Sequence, residues 1–288
     1  MWKQIDISSK EIIDSYTKGI FSICDYNFIN LLIWSKGDNL QYKIENNVIY
    51  IKGEYLREIT YFLPVSLDSD INEVKTAIDE ILKKGYSINL IPENWKIKLE
   101  EIYFFEEQHD SFDYCYLLEE LAFLKGRKYT KKRNKINQFM KKYDFKYEKI
   151  ELSNIELVKE FQSNWISDEK VKNNKEIIKE NLGIKEVLNN YFNLNLCGGV
   201  LFVDNCVVAY TIGEKIGNQM CVYIEKADEK YIGSYQMINT MFLRENADGI
   251  KIVNREDDAG VEGLREAKES YFPLELLKKY KIVSKKNI

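Results

Sequence analysis

Histidine is almost missing from this sequence, with His109 the sole one in 288 residues. A Ser-His-Asp or Cys-His mechanism would have to be built on it, yet it stands in FFEEQHDSF, a polar connection with no nucleophile elbow nearby. A histidine-rich metal site is excluded, and the scattered carboxylates form no calcium or magnesium loop, so no metal is expected. The five cysteines (Cys24, Cys115, Cys197, Cys206, Cys221) are odd in number and contain no CxxC pair. Neither a disulfide framework nor a zinc knuckle follows, and they read as core thiols. Proline occurs three times and no Gly/Ser- or Pro-rich linker is present, while 45% of the residues are hydrophobic, enough for real cores. No stretch approaches the roughly 20 apolar residues of a membrane span. The best candidate, FINLLIWS over residues 28–35, is far too short, and MWKQIDISSKEIID lacks the regions of a signal peptide. The expectation is a soluble, cytoplasmic protein.

Net positive charge, absent overall in a chain at −4, is concentrated in LKGRKYTKKRNKINQF. Lys125, Arg127, Lys128, Lys131, Lys132, Arg133 and Lys135 precede any acid before Asp144, and Lys141 and Lys142 follow. Setting those nine aside moves the rest of the chain from −4 to −13. From Thr130 to about Lys142 the spacing of Ile136, Phe139, Met140 and Tyr143 predicts a helix with that face on a core and the cations outside. Such a ridge is either a solvated face or a docking surface for phosphates, since cations gathered on an acidic body focus the field there.

Elsewhere the periodicities alternate between 3.6 and 2. SSKEIIDSYTKG is a helix capped at Ser8 or Ser9; DYNFINLLIWSKGD is a second helix or turn. LQYKIENNVIYIKGEY is a hairpin around Asn46-Asn47, and ITYFLPVS is a strand. DINEVKTAIDEILKKGY, SINLIP and ENWKIKLEE then read helix, strand, helix. The pattern recurs late: three β runs, the first two joined by Asp204-Asn205, precede GSYQMINTMFLRENADG (helix), IKIVN (strand) and AGVEGLREAKESYF (helix). Between the halves FKYEKIEL is a strand, SNIELVKEFQSNWISD a helix, and NNKEIIKENLGIKEVLNNYFN helices broken near Gly183. The class is mixed α/β, with halves 1–115 and 116–288.

This order resembles the acyl-CoA N-acyltransferase (GNAT) fold present twice, each half a mixed, largely antiparallel sheet flanked by helices. Three strings, LKGRKYTKKRNKINQF, YIEKADEKYIGSYQMIN and VNREDDAGVEGLREAKESYFP, resemble an uncharacterised bacterial family related to the C-terminal domain of phosphatidylglycerol lysyltransferase. The resemblance covers nearly the whole chain. It implies transfer of an aminoacyl group from charged tRNA, or of an acyl group from acyl-CoA, to an amine or hydroxyl acceptor. In the wider group the best-known members modify lipid headgroups and Fem-type relatives build peptide cross-bridges. The lipid-modifying members carry a multi-span domain that this sequence does not contain. The acceptor is therefore left as a small molecule, a peptide or a lipid headgroup.

The same resemblance places a donor-phosphate loop at KYIGSY, through Lys230, Gly233 and Ser234, although Lys stands where Gln or Arg is usual and Tyr235 where a small residue is. The plainer alternative is that Gly233 starts a helix. Arg127, Lys128, Lys131, Lys132 and Arg133 would meet phosphates of tRNA or coenzyme A. Asn254, Arg255 and Glu256 follow a buried strand, a common place for α/β sites, whereas Asp257 and Asp258 suit helix capping. Glu225 or Glu256 would take the nucleophile's proton, and Lys268 or Tyr271 would orient the acceptor or leaving group. Two non-catalytic alternatives stand beside this: a tRNA- or phosphate-binding protein, and a scaffold of duplicated GNAT fold.

Overall fold

The computed structural model describes residues 1–55, 58–168 and 172–286. It divides into two units, one of residues 1–113, 257–265 and 276–288, the other of 114–256 and 266–275. Each carries the repeat read from the pattern: an antiparallel meander, a helix, a strand parallel to the meander's last strand, and a helix.

In the first unit the meander is Gln41–Glu45, Val48–Tyr55 and Glu58–Phe62. Asn46 and Asn47 turn its first hairpin with φ of 48° and 65°, the paired left-handed conformation that a two-residue hairpin needs and that asparagine tolerates. Helix Ile71–Lys83, capped by Asp70, buries Val74, Ala77, Ile78 and Ile81, and strand Ser87–Pro92 returns parallel to Glu58–Phe62. Strand Lys279–Lys285 then inserts between Ser87–Pro92 and Tyr103–Glu107. The expected second half, 116–288, thus gives up its last strand to the first sheet, and residue 115 falls inside strand Asp113–Leu117 of the second sheet. A local pattern carries no information on such a pairing, because its partner lies about 190 residues away in sequence.

In the second unit the sheet runs, edge to edge, Glu275–Leu277, Asp113–Leu117, Ile252–Asn254, Gln219–Ala227, Cys206–Ile216, Cys197–Val203 and Phe145–Lys149. Asp204 and Asn205 make the same kind of turn as Asn46-Asn47, with φ of 50° and 63°. Helices Leu118–Phe123, Thr130–Lys142 and Ser234–Glu245 cover one face through Leu121, Phe139, Met237, Ile238 and Phe242, all buried, with Tyr129 buried at the entry to the second. The basic helix spans the expected residues and buries Phe139, but Met140 is 46% exposed. Phe139 fills the inward position by itself, and Ile136 and Tyr143 flank it half-buried. Gly183 interrupts nothing: helix Lys175–Asn189 runs through it with the glycine buried. One helical glycine costs about 1 kcal/mol, which tertiary packing readily offsets.

Candidate functional site in the second unit

The parallel pairing of Gln219–Ala227 with Ile252–Asn254 lasts three residues, ending at Cys221 and Asn254. Beyond it the longer strand continues to Ala227 beside Cys206–Ile216, with Tyr223 an extra residue opposite the Ile212–Gly213 step. Beyond Asn254 the backbone stays bonded on its other side, the Arg255 N–H donating to the Tyr114 carbonyl and the Glu256 carbonyl accepting from the Tyr114 N–H. The Arg255 side chain reaches the longer strand past the end of the ladder: its Nη2 donates to Glu225 Oε1 at 2.9 Å. The second carboxylate oxygen accepts from Asn239 Nδ2, also at 2.9 Å, from the helix beneath. Burial by itself would lower the Arg255 pKa, and Glu225 more than offsets it, leaving the guanidinium above its ordinary value. Its Nη1 and the Asn239 Oδ1 are buried and meet no hydrogen-bond partner among the described residues.

Tyr271 closes the cluster. The Arg255 guanidinium lies 5.1 Å from its ring centroid, and its phenol, pushed up to about 12 by burial, is held by the Gln236 side chain. Lys132 Nζ stands 3.9 Å from the same centroid and donates to Ser270 Oγ at 2.6 Å. From there a groove of about 620 Å³ opens, lined by Arg127, Lys128, Thr130, Lys131, Lys132, Lys135, Ser270 and Phe272. Of the nine cations in this stretch, Lys128 alone pairs with a carboxylate among the described residues, Glu120 at 2.7 Å.

The structure therefore brings together Glu225, Arg255, Tyr271 and Lys132, and separates others. Arg133 is spent on the chain itself, its Nη1 donating to the carbonyls of Leu124 and Gly126 at 2.5 Å each, so it holds the helix entry rather than facing a ligand. Lys268 is buried, its Nζ donating to the carbonyls of Arg255 and Glu256 at 2.6 and 3.1 Å, which makes it the staple of the loop bearing Arg255. Asn254 Oδ1 accepts from the Glu256 N–H at 2.8 Å and fixes the turn in which Glu256 takes a φ of 57°. Asp257 and Asp258 belong to the first unit, where Asp258 holds Arg265 and the Gly260 N–H.

Within the KYIGSY turn Lys230 and Ile232 are exposed, while Gly233 and Ser234 are buried against the basic helix. Gly233 has a φ of 97°, and a Cβ there would lie 2.4 Å from the Lys135 carbonyl oxygen of the basic helix. Ser234 is buried with its hydroxyl on the Asp228 carbonyl, and the Lys230 N–H is taken by Asp228 Oδ1. Close approach of the basic helix to this turn is a sufficient reason for the glycine. Gly233→Ala is accordingly expected to destabilise the protein by about 1–3 kcal/mol, the range for forcing extra volume into packed structure, as urea unfolding would measure. Asn239 and Gln236 are the site residues that the sequence did not mark. Their signal, polar positions three apart on an otherwise apolar helix face, is weak without knowing that Glu225 and Tyr271 lie above them.

Among the described residues no helix is long and apolar enough to cross a membrane, and no cluster of three metal-ligating side chains occurs. The family model described as phosphatidylglycerol lysyltransferase, C-terminal, matches residues 21–283. A conserved protein of unknown function from Bacteroides thetaiotaomicron is 31% identical, with 97% of this chain and 98% of that one aligned at a TM-score of 0.87. The L-PGS structure from Bacillus licheniformis aligns over 97% of this chain and 92% of its own at 13% identity and a TM-score of 0.62, a likeness of fold. An uncharacterised protein of Mycoplasmoides gallisepticum is 27% identical over 174 residues, which is 59% of this chain and 55% of that one. The chain thus spans about half the length of that curated relative. The shared architecture is the tandem GNAT-like fold.

Proposed function

Since the chain belongs to the family of phosphatidylglycerol lysyltransferase C-terminal domains, we propose that it moves an aminoacyl group from a charged tRNA to an amine or hydroxyl acceptor. Family and fold are those of acyl and aminoacyl transferases. The observation that supports the choice of donor is the groove, whose cations other than Lys128 pair with no carboxylate among the described residues and whose Lys132 lies over Tyr271 of the Glu225–Arg255–Tyr271 cluster, while the turn expected to hold an acyl-CoA pyrophosphate packs against the basic helix. A polyphosphate backbone along the groove would bring its terminal ester to the side of Lys132 and Tyr271.

There the transfer needs charge stabilisation more than strong bases. Glu225 has both oxygens engaged, one by a guanidinium, which makes it the holder of Arg255. Arg255 supplies what the tetrahedral intermediate requires: a cationic donor in a desolvated site, where its field is little screened. Lys268 fixes the loop that carries it. Glu256, whose backbone is held at both ends, contributes here through its carbonyl.

Titration with bulk tRNA and with coenzyme A at two salt concentrations tests the reading. The expected result is tRNA binding that weakens about a hundredfold between about 50 and 200 mM salt, as four phosphate contacts would produce, with no thermal stabilisation by coenzyme A. Stabilisation by coenzyme A together with indifference to tRNA would reverse the choice of donor.

A further inference from the structure

Lys132 is the cation of the groove that also touches the buried cluster. Its neighbours on the basic segment are committed elsewhere or face solvent: Lys128 to Glu120, Arg133 to backbone carbonyls, Lys131 and Lys135 exposed along the groove wall. Lys132 is half-buried, its ammonium lies over the Tyr271 ring, and its hydrogen bond goes to the Ser270 hydroxyl. The ring that carries Lys132 also carries Arg255, so one aromatic plane links the groove to the orphaned guanidinium N–H. No carboxylate pairs with Lys132 among the described residues, although acids outnumber bases in the chain.

We propose that Lys132 is the general acid of the transfer, its ammonium protonating the ribose oxygen that leaves as the aminoacyl ester is cleaved. The proposal rests on the aminoacyl-tRNA reading. The acceptor nitrogen or oxygen attacks the ester carbonyl carbon, forming the new bond and placing negative charge on the carbonyl oxygen beside Arg255. As the carbonyl re-forms, the bond from carbon to the ribose oxygen breaks, and that oxygen takes the proton of Lys132. The now neutral lysine accepts the proton that the attacking atom loses, directly or through the Ser270 hydroxyl. One amide or ester is made, one ester is lost, and the lysine ends as it began.

The surroundings suit this role. Lys135 from the same helix, Arg255 from the loop after Ile252–Asn254, and the Tyr271 ring with Ser270 from the segment after Glu262–Glu269 all meet Lys132. None carries negative charge at neutral pH. Desolvation, with the two cations, lowers the Lys132 pKa to about 8, so that the ammonium is the main form at neutral pH and gives up its proton readily.

The test follows release of the amino acid from bulk charged tRNA by the intact protein, with hydroxylamine as acceptor and the uncatalysed rate subtracted at each pH. The wild type is expected to lose rate as pH rises through about 8. Lys132→Arg keeps the charge but is a far weaker acid: it should slow the reaction about a hundredfold and abolish that alkaline limb, while tRNA binding and its salt slope stay unchanged. Lys132→Met should slow it at least as much. A limb that persists in Lys132→Arg, or a rate within a fewfold of wild type, overturns the assignment while leaving the transferase reading in place. Absence of any wild-type release above background overturns that reading and this proposal together.

Discussion

Lys279→Met is expected to destabilise the protein by about 3–5 kcal/mol, because it leaves carboxylates buried without their counter-charge. Lys279 is 1% exposed on the strand that completes the first sheet, with Asp25 at 2.5 Å, Asp113 at 2.6 Å and Asp257 at 3.9 Å. Asp113 also accepts from the Cys24 N–H at 2.9 Å, so the group ties the chain's last strand to its first fifty residues. Burial, only partly offset by Lys279 and worsened by Asp113 and Asp257, pushes the Asp25 carboxyl up to about 7. A carboxyl raised on folding binds more protons in the native state than in the unfolded chain. Its contribution therefore lowers stability as pH rises from the ordinary carboxylate range to about 7. Lys279, raised well above its ordinary value chiefly by Asp113 and Asp25 against desolvation, contributes stability that is present below the lysine range and is lost as pH rises through its folded value. Urea midpoints for wild type and Lys279→Met should hence converge well below pH 7, where the stranded Asp25 carboxyl is protonated, and diverge above it. A constant gap between the two would mean that lost packing, not stranded charge, sets the penalty.

That cluster marks the limit of what the sequence discloses. Asp25, Asp113 and Lys279 stand in three unremarkable contexts, and Lys279 lies in KKYKIVSKK, which carries no sign that one lysine of five is buried. The repeat of meander, helix, strand and helix was legible, since each element has its own hydrophobic period and its own turn residues, as at Asn46-Asn47 and Asp204-Asn205. Strand exchange at the ends was not, because pairing between distant segments leaves no local trace. For the site, Arg255 and Glu225 could be singled out as polar residues at strand ends, and Tyr271 by its motif. Their division of labour could not: only the distances show that Glu225 is already doubly bonded and that Lys268 serves the backbone. Gly233 shows another limit, for a glycine before a helix suits a phosphate cradle and a helix crossing equally well, and the Lys135 carbonyl that supplies the crossing lies on a separate helix about 100 residues earlier.

Arg255→Met should lower aminoacyl transfer by about 10²–10³-fold, the effect of deleting one preorganised donor to a developing oxyanion, with tRNA affinity retained because the groove cations are untouched. The variant also strands Glu225, whose side chain is 12% exposed, so part of any loss could come from a damaged fold. Glu225→Gln in the same chain removes the stranded charge while keeping an amide to meet Asn239. The double variant is therefore expected to recover most of the stability lost by Arg255→Met and none of the activity. Glu225→Gln by itself should fall between, reducing transfer about tenfold, because the guanidinium remains but is held by one weaker bond. Single-turnover rates beside urea midpoints for the three proteins would show whether the pair acts as a unit, the double variant being no slower than Arg255→Met. Recovery of activity along with stability in the double variant would mean that Arg255 serves the fold and that the oxyanion is met elsewhere. In that event Lys132 would be the remaining cation of the cluster within reach of the ester.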